Sequence, residues 1–318
     1  MSAGRPRFQP TTLEDFIELM GLPDEIHNRR VVGVYARGAM LGAAMELTPK
    51  DPQSQDVWIF PYVPPHYRGD GIGSMLLEEL IAHARAQGRS RMLSGIEFAG
   101  DSLAEAARHP YVHFARRHGF EVGRRMIRWE LTLPVPETTV DAFAQAACQR
   151  AEGYRYALYQ GLPPPGWRDQ FLALRAASEE ADLAKGMAVQ PEQMHGDYEL
   201  TTRMWTGQGH HVVTAVAVAP DGELAGYSTL RVPPKPEFAA SIQGFTYVAD
   251  HHRRKRIAPT LLSATSIWLS RHHPERIHVQ TTTVEIDRRM ASLSRAVGYR
   301  PIETMLRVMR RLMPAGTS

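Results

Sequence analysis

The feature that most limits what this chain can fold into is a repeat of whole pattern elements. A strand-like run, Val57-Trp58-Ile59-Phe60, leads into Tyr62-Val63-Pro64-Pro65-His66-Tyr67-Arg68-Gly69-Asp70-Gly71-Ile72-Gly73. Met75, Leu76, Leu77, Leu80, Ile81 and Ala84 then recur at helical spacing. Much later, Gly244-Phe245-Thr246-Tyr247-Val248 leads into Ala249-Asp250-His251-His252-Arg253-Arg254-Lys255-Arg256-Ile257-Ala258, again followed by a helix-period run from Leu261 to Leu269. Strand candidates Arg91–Phe98 and Arg276–Thr283 come next, then helices ending in Gly119-Phe120 and Gly298-Tyr299, then β-rich runs Met126–Leu133 and Met305–Met309. The offset is about 185 residues at the arginines and about 179 at the glycines, the difference being a longer loop, Ala99–Pro110, in the first copy. So many elements in one order imply two copies of a single folding unit.

The length of 318 residues agrees, at roughly 100–200 residues per domain. A boundary is expected between Pro134 and Pro165, with residues 1–136 as a first domain, 137–166 as a linker and 167–318 as a second domain. The linker combines a helix over Val140–Glu152 with the stiff connector Gly161-Leu162-Pro163-Pro164-Pro165-Gly166. Val31–Tyr35, His211–Val218 and Glu223–Val232 read as further strands, the last two joined by the hairpin turn Pro220-Asp221-Gly222. Each half then has early helices, a hairpin-rich sheet and two later helices around one parallel crossover, an α+β pattern.

Bulk properties exclude several classes. Hydrophobic residues are 43% and charged residues 22%, an ordinary globular balance. Every apolar stretch is too short to span a membrane, and Met1–Pro10 lacks the apolar core of a secretion signal, so a cytoplasmic protein with no membrane partner is expected. Cys148 is alone in an Ala-rich run and is expected to be a small buried thiol rather than a nucleophile. A formal charge of +3 suits an anionic ligand but is no nucleic-acid signature, and the single basic cluster Arg253–Arg256 lacks interleaved aromatics. The adjacent pairs His210-His211, His251-His252 and His272-His273 are expected to diverge, so no metal site is anticipated.

The loop Arg68–Ser74 is where chemistry concentrates. Glycines between a strand and a helix let the backbone turn sharply and approach a ligand without a Cβ in the way. Free first-turn N–H groups and the positive end of the helix dipole suit a pyrophosphate. Arg68 could add a charge-assisted contact. The lysine of a nucleotide-triphosphate loop is missing, because Ser74-Met75 follows Gly73. A dinucleotide fingerprint is disfavoured by Pro64-Pro65 and by the loop's position more than 50 residues into the chain.

In Arg68, Gly71 and Gly73, preceded by Val63-Pro64 and followed downstream by Gly119-Phe120, the chain resembles the GCN5-related N-acetyltransferases (GNAT), whose loop reads Arg/Gln-x-x-Gly-x-Gly/Ala. With both halves counted it looks like the tandem, mycothiol-synthase-like members of that family. The resemblance implies two GNAT-like domains, each a mixed, mostly antiparallel sheet flanked by helices. It implies acetyl-CoA or another acyl-CoA, with its pyrophosphate on the amides of Arg68, Gly69, Asp70, Gly71, Ile72, Gly73 and Ser74 and its pantetheine along Tyr62 and Val63. It also implies direct attack by the amine of a small molecule or peptide, in a monomer or homodimer. The Ala- and Arg-rich composition suggests a high-GC bacterium.

The second copy departs from this pattern, with Arg254 and Arg256 where the first has Gly69 and Gly71, and is expected to be degenerate. Thr283, Asp287 and Ser294 stand where tandem relatives usually carry asparagines in the following strand and helix, or a tyrosine acid. In the first copy the family's tyrosine position is Ala115. Glu97 is left as a candidate base and Tyr111 or His113 as a candidate acid. Two alternatives stay open: a non-catalytic acyl-CoA sensor or scaffold, and catalysis in the second copy.

Overall fold

The computed structural model describes residues 13–100, 107–184, 198–235 and 240–313. They form two compact units that do not follow the contiguous division expected from the sequence. Unit 1 runs to Met126 and resumes at Glu303, whereas unit 2 holds Ile127 to Ile302 apart from a short segment outside the described residues.

Unit 1 begins with helix α1 (Leu13–Gly21), the hairpin β1 (His27–Ala36) and β2 (Ala39–Pro49), and strand β3 (Asp56–Tyr62). Helix α2 (Ile72–Ala86), strand β4 (Arg91–Ala99), helix α3 (Pro110–Arg117) and the start of β5 (Glu121–Thr132) follow. The pairs β1–β2 and β2–β3 are antiparallel, and β3–β4 is parallel. The next neighbour of β4 is the last strand of the chain, β11 (Arg300–Arg311), antiparallel from Glu303 opposite Ala99 to Arg311 opposite Arg91. Leu306, Val308 and Leu312 are buried in the unit 1 core with Leu76, Leu80, Met92 and Ile96. That pairing and burial explain why the stretch after Ile302 leaves a domain drawn as 167–318.

Unit 2 takes β5 from Ile127, then α4 (Glu137–Arg150), β6 (Arg155–Gln160), α5 (Arg168–Ala184) and α6 (Tyr198–Gly207). Strands β7 (His211–Val218), β8 (Leu224–Val232) and β9 (Ser241–Val248) form an antiparallel meander. Helix α7 (Ile257–His272), β10 (His278–Val284) and α8 (Arg288–Val297) complete it, with β9 and β10 parallel. The stretch 137–166 is therefore structure rather than linker. Strand β6 pairs with β7 from Arg155 opposite Val218 to Gln160 opposite Val213, and Tyr154 and Tyr156 pack on buried Ala215 and Ala217. Cys148 lies in α4, but its side chain is outside the described residues. Among the described residues no helix is long and apolar enough to cross a membrane.

In both units the one parallel pair opens into a fork. In unit 1, β3 pairs with β4 only through Asp56, Val57 and Trp58, although it continues to Tyr62 against β2. Pro61 stands in the unpaired part, where a strand with a free side tolerates a residue without an N–H. In unit 2 the parallel contact covers only Ser241 and Ile242.

Candidate functional site

The unit 1 fork opens toward the loop that begins α2. A single 3-10 turn, Pro65–Tyr67, ends β3, and the chain then passes through Gly69 at φ 97° and Gly71 at φ 81°. Gly71 is the N-cap of α2 and supplies no side chain, so the first-turn N–H groups have no side-chain cap. A Cβ on Gly69 or Gly71 would meet nothing within 4 Å, which leaves an open, donor-lined hollow at the positive end of a 15-residue helix. Gly73 serves differently: a Cβ there would come within 3.2 Å of Phe114 Cζ and 3.8 Å of Val63 Cγ2, so it allows α3 and the end of β3 to close on the loop. Uncapped N–H groups and the positive end of a helix dipole make the hollow suited to an anion.

Arg68 has a structural task. Its Nε donates to Val63 O at 2.9 Å, and its guanidinium lies 5.2 Å from the centre of the Tyr111 ring. At the N-cap of α3, His109 accepts from Tyr111 N through Nδ1 at 3.4 Å. Its ring stacks on Phe98 at 4.5 Å and meets Tyr111 edge-on at 4.5 Å. Burial, then the charge of Arg68, pulls the His109 pKa below the ordinary histidine value. Sequence reasoning missed His109, although His-Pro before a helical run is a capping signal that could have found it.

The loop also meets α3 further along, where Ser74 Oγ and His118 Nε2 are 3.1 Å apart and His118 lies 4.5 Å from the ring of Phe114. The His118 pKa is lowered by burial, then by Arg117 and Arg310. From there a groove of about 660 Å³ runs between α2 and α3, with Arg85, Arg117 and Arg310 on its walls and Glu78 as the one acid. Three cations on an open groove next to an anion hollow extend the positive field in one direction.

The three candidate acid–base residues are not brought together. Along β4, Met92, Ile96 and Phe98 enter the core under α2 and α3, so alternation puts Glu97 on the opposite face of the sheet. Tyr111 packs against the core on the α3 side, and His113 is exposed on α3. Ala115, where the family tyrosine was expected, is buried in the core, 6% exposed.

The second loop keeps the backbone of the first with different side chains. A 3-10 turn, Asp250–His252, ends β9, Arg253 Nε donates to Val248 O at 3.1 Å, and α7 starts at an N-cap in the left-handed region. The residues at positive φ here are Arg254 at 67° and Arg256 at 61°. Downstream, Thr283 Oγ1 accepts from Trp129 Nε1 at 2.7 Å, Asp287 caps α8 by accepting from Met290 N at 3.0 Å, and Ser294 is buried. In unit 2, Gln243 of β9 is buried, 3% exposed, and its amide donates to Ser228 Oγ and Thr229 O of β8 and accepts from Thr265 Oγ1 of α7 at 2.8 Å. In unit 1, Ser94 Oγ of β4 donates to Ile59 O of β3 at 2.8 Å, just past the last paired residues of the fork.

The expected divergence of adjacent histidines fails at one place. The rings of His251 and His252 are 4.1 Å apart and both reach Glu223. The alternation expected of extended chain does not apply on the 3-10 turn that carries them.

The profile of the acetyltransferase (GNAT) domain family matches residues 27–122, a span that holds β1 through α3 and the whole first loop. No curated protein matches the chain. Among solved structures, a tandem GNAT protein from the clavulanic acid biosynthesis pathway is similar over 99% of this chain and 92% of its own, with a TM-score of 0.74 at 19% identity. A GCN5-related N-acetyltransferase from Sphaerobacter thermophilus covers 95% of this chain and 85% of its own, at a TM-score of 0.59 and 19% identity. One from Kribbella flavida covers 92% of each, at 0.54 and 13%. At these identities the likeness is one of fold, and the fold is that of tandem GNAT proteins.

Proposed function

We propose that this chain, a tandem GNAT fold whose residues 27–122 form an acetyltransferase (GNAT) domain, is an acyl-CoA-dependent N-acyltransferase with its cofactor site in unit 1. The observation that carries the reading is the juxtaposition of the β3–β4 fork with the uncapped glycine loop of α2, a slot and an anion hollow in one line. Amides of the loop from Arg68 to Ser74 would hold the pyrophosphate, with Tyr62 and Val63 beside the pantetheine arm. The groove walled by Arg85, Arg117 and Arg310 is a natural continuation for further phosphate. An acyl-CoA supplies a thioester carbonyl open to attack by an amine, with the thiolate leaving.

The chain must then manage two protons. An amine with a pKa near 10 is almost wholly ammonium at neutral pH, so a base has to accept its proton. Glu97, on the sheet face opposite α2 and α3, is the candidate for that role. Tyr111, held between the Arg68 guanidinium and the His109 ring, is the best-positioned donor toward the departing sulfur. His113, exposed on the same helix, is the weaker candidate. A second reading, a sensor that binds acyl-CoA without turnover, is favoured by one fact: the usual acid position is the buried Ala115.

The test is calorimetric titration of acetyl-CoA into the wild type and Gly71→Arg, followed by an amine screen that reads free CoA release. One site per chain, weakened about a hundredfold or more in the variant, supports the unit 1 site, since the new side chain would occupy the hollow. Unchanged binding in Gly71→Arg overturns it. Tight binding without CoA release over a broad amine panel favours the sensor.

A further inference from the structure

We infer that Glu223, His251 and His252 of unit 2 form a binding site for a zinc-class divalent cation. The inference rests on this cluster alone and not on acyl transfer. Glu223 ends the hairpin turn between β7 and β8, where Ala219 N donates to Glu223 O at 2.8 Å and Glu223 N donates to Asp221 Oδ1 at 3.1 Å. The two histidines sit on the 3-10 turn Asp250–His252 ahead of α7. His251 Nε2 is 3.2 Å from each oxygen of the Glu223 carboxylate, and His252 Nε2 is 3.3 Å from Oε2.

These separations are those of donor atoms around a small tetrahedral ion. With metal–ligand bonds of roughly 2.0–2.1 Å, the edge between two tetrahedral ligands is about 3.3 Å. One ligand atom from each of the three residues lies within 4.8 Å of the others. Two imidazoles and one carboxylate are the borderline donor set that suits zinc, cobalt or nickel rather than magnesium or calcium. His251 and Glu223 have side chains 62% and 45% exposed, so a fourth position faces water, while His252 at 8% anchors the site.

A second layer of contacts favours the same reading. His252 Nδ1 lies 2.7 Å from Tyr154 OH, and the rings meet edge-on. That oxygen also accepts from Lys255 Nζ at 2.7 Å. A hydrogen bond on the distal ring nitrogen is what fixes the tautomer and aim of a metal-binding histidine. With Nδ1–H donating to the tyrosine oxygen, the Nε2 lone pair points at Glu223 and His251. Lys255 and the paired Arg253 add positive charge nearby, and Asp250 offsets Arg253 through its own ion pair. A bound cation would clip the β7–β8 turn to the turn that opens the second loop.

The experiment is titration of zinc chloride into the full-length, tag-free protein by calorimetry, with thermal unfolding measured in parallel. One zinc per chain and a higher Tm are expected, because an ion that binds only the folded state stabilises it. His251→Ala and Glu223→Gln, both at exposed positions, should each weaken zinc by at least about tenfold. His273→Ala, in a separate histidine–carboxylate pair of unit 2 with Glu275, should change nothing. Cobalt should give a tetrahedral visible spectrum that His251→Ala removes. The site is wrong if the wild type takes up no zinc at one equivalent, or if His251→Ala and Glu223→Gln both bind as the wild type does.

Discussion

The two loops that start α2 and α7 have nearly the same backbone and opposite surfaces. Each follows a 3-10 turn, each is tied back by an arginine Nε to a valine carbonyl, and each passes twice through positive φ. In unit 1 both positive-φ positions are glycine, and in unit 2 both are arginine. A left-handed residue other than glycine costs roughly 1–2 kcal/mol, so the second loop holds its shape against that cost. The loop geometry therefore comes from its anchors, the arginine-to-carbonyl bond and the helix start, and not from glycine. What glycine alone provides is the empty space over the first-turn amides. Buried polar groups on the same strands also differ: Ser94 ties β4 to β3 with one bond, whereas Gln243 ties β9 to β8 and α7 with three.

The largest expected effect is the loss of acetyl-CoA binding in Gly71→Arg with the fold kept, because Arg256 already shows the conformation to be accessible to arginine. Next is the contrast between these two buried polar groups. Gln243→Leu strands Thr229 O and removes two further bonds, and should cost roughly 2–3 kcal/mol in urea unfolding. Ser94→Ala strands only Ile59 O and should cost about 1–2 kcal/mol. If Ser94→Ala proves the more damaging, the single β3–β4 bond outweighs the three of Gln243 and the comparison is reversed.

Smaller still is Arg256→Gly, which relieves strain but frees the unfolded chain, and should stabilise by no more than about 1 kcal/mol. A clear loss of stability would mean that the Arg256 side chain makes a contact worth more than the strain. The smallest effect is electrostatic. Burial and Arg68 hold the His109 pKa down, so Arg68→Met should raise it, with burial keeping it below the ordinary value. An NMR titration of the His109 ring reads this directly. The sign follows from linkage: with the folded pKa depressed, protonation of His109 works against folding only as pH falls below the unfolded value near 6.5, and Arg68→Met should soften that acid loss.

The readable parts were local. The apolar spacing from Met75 to Ala84 became α2, Arg91–Phe98 became β4, and the hairpin turn at Pro220-Asp221-Gly222 holds. Strand β2, Ala39–Pro49, was not legible, since its run of Ala, Met, Leu and Glu favours a helix by propensity. It is a strand because β1 and β3 pair with it on both sides. Strand β6 hid in a stretch that reads as a connector, for the same reason of pairing. Of the candidate site, the glycine hollow was visible as a motif. The roles of Arg68 and His109, the opposite faces of Glu97 and Tyr111, and the convergence of His251 and His252 were not.

By itself the sequence determined that one folding pattern occurs twice and that a glycine loop starts a helix in the first copy, because both are written in spacing along the chain. The tertiary structure decided which copy each final strand completes, which loop stays open and which histidines meet. Those outcomes depend on pairings between residues far apart in sequence, such as Glu303 with Ala99 and Glu223 with His251, and no local pattern encodes them.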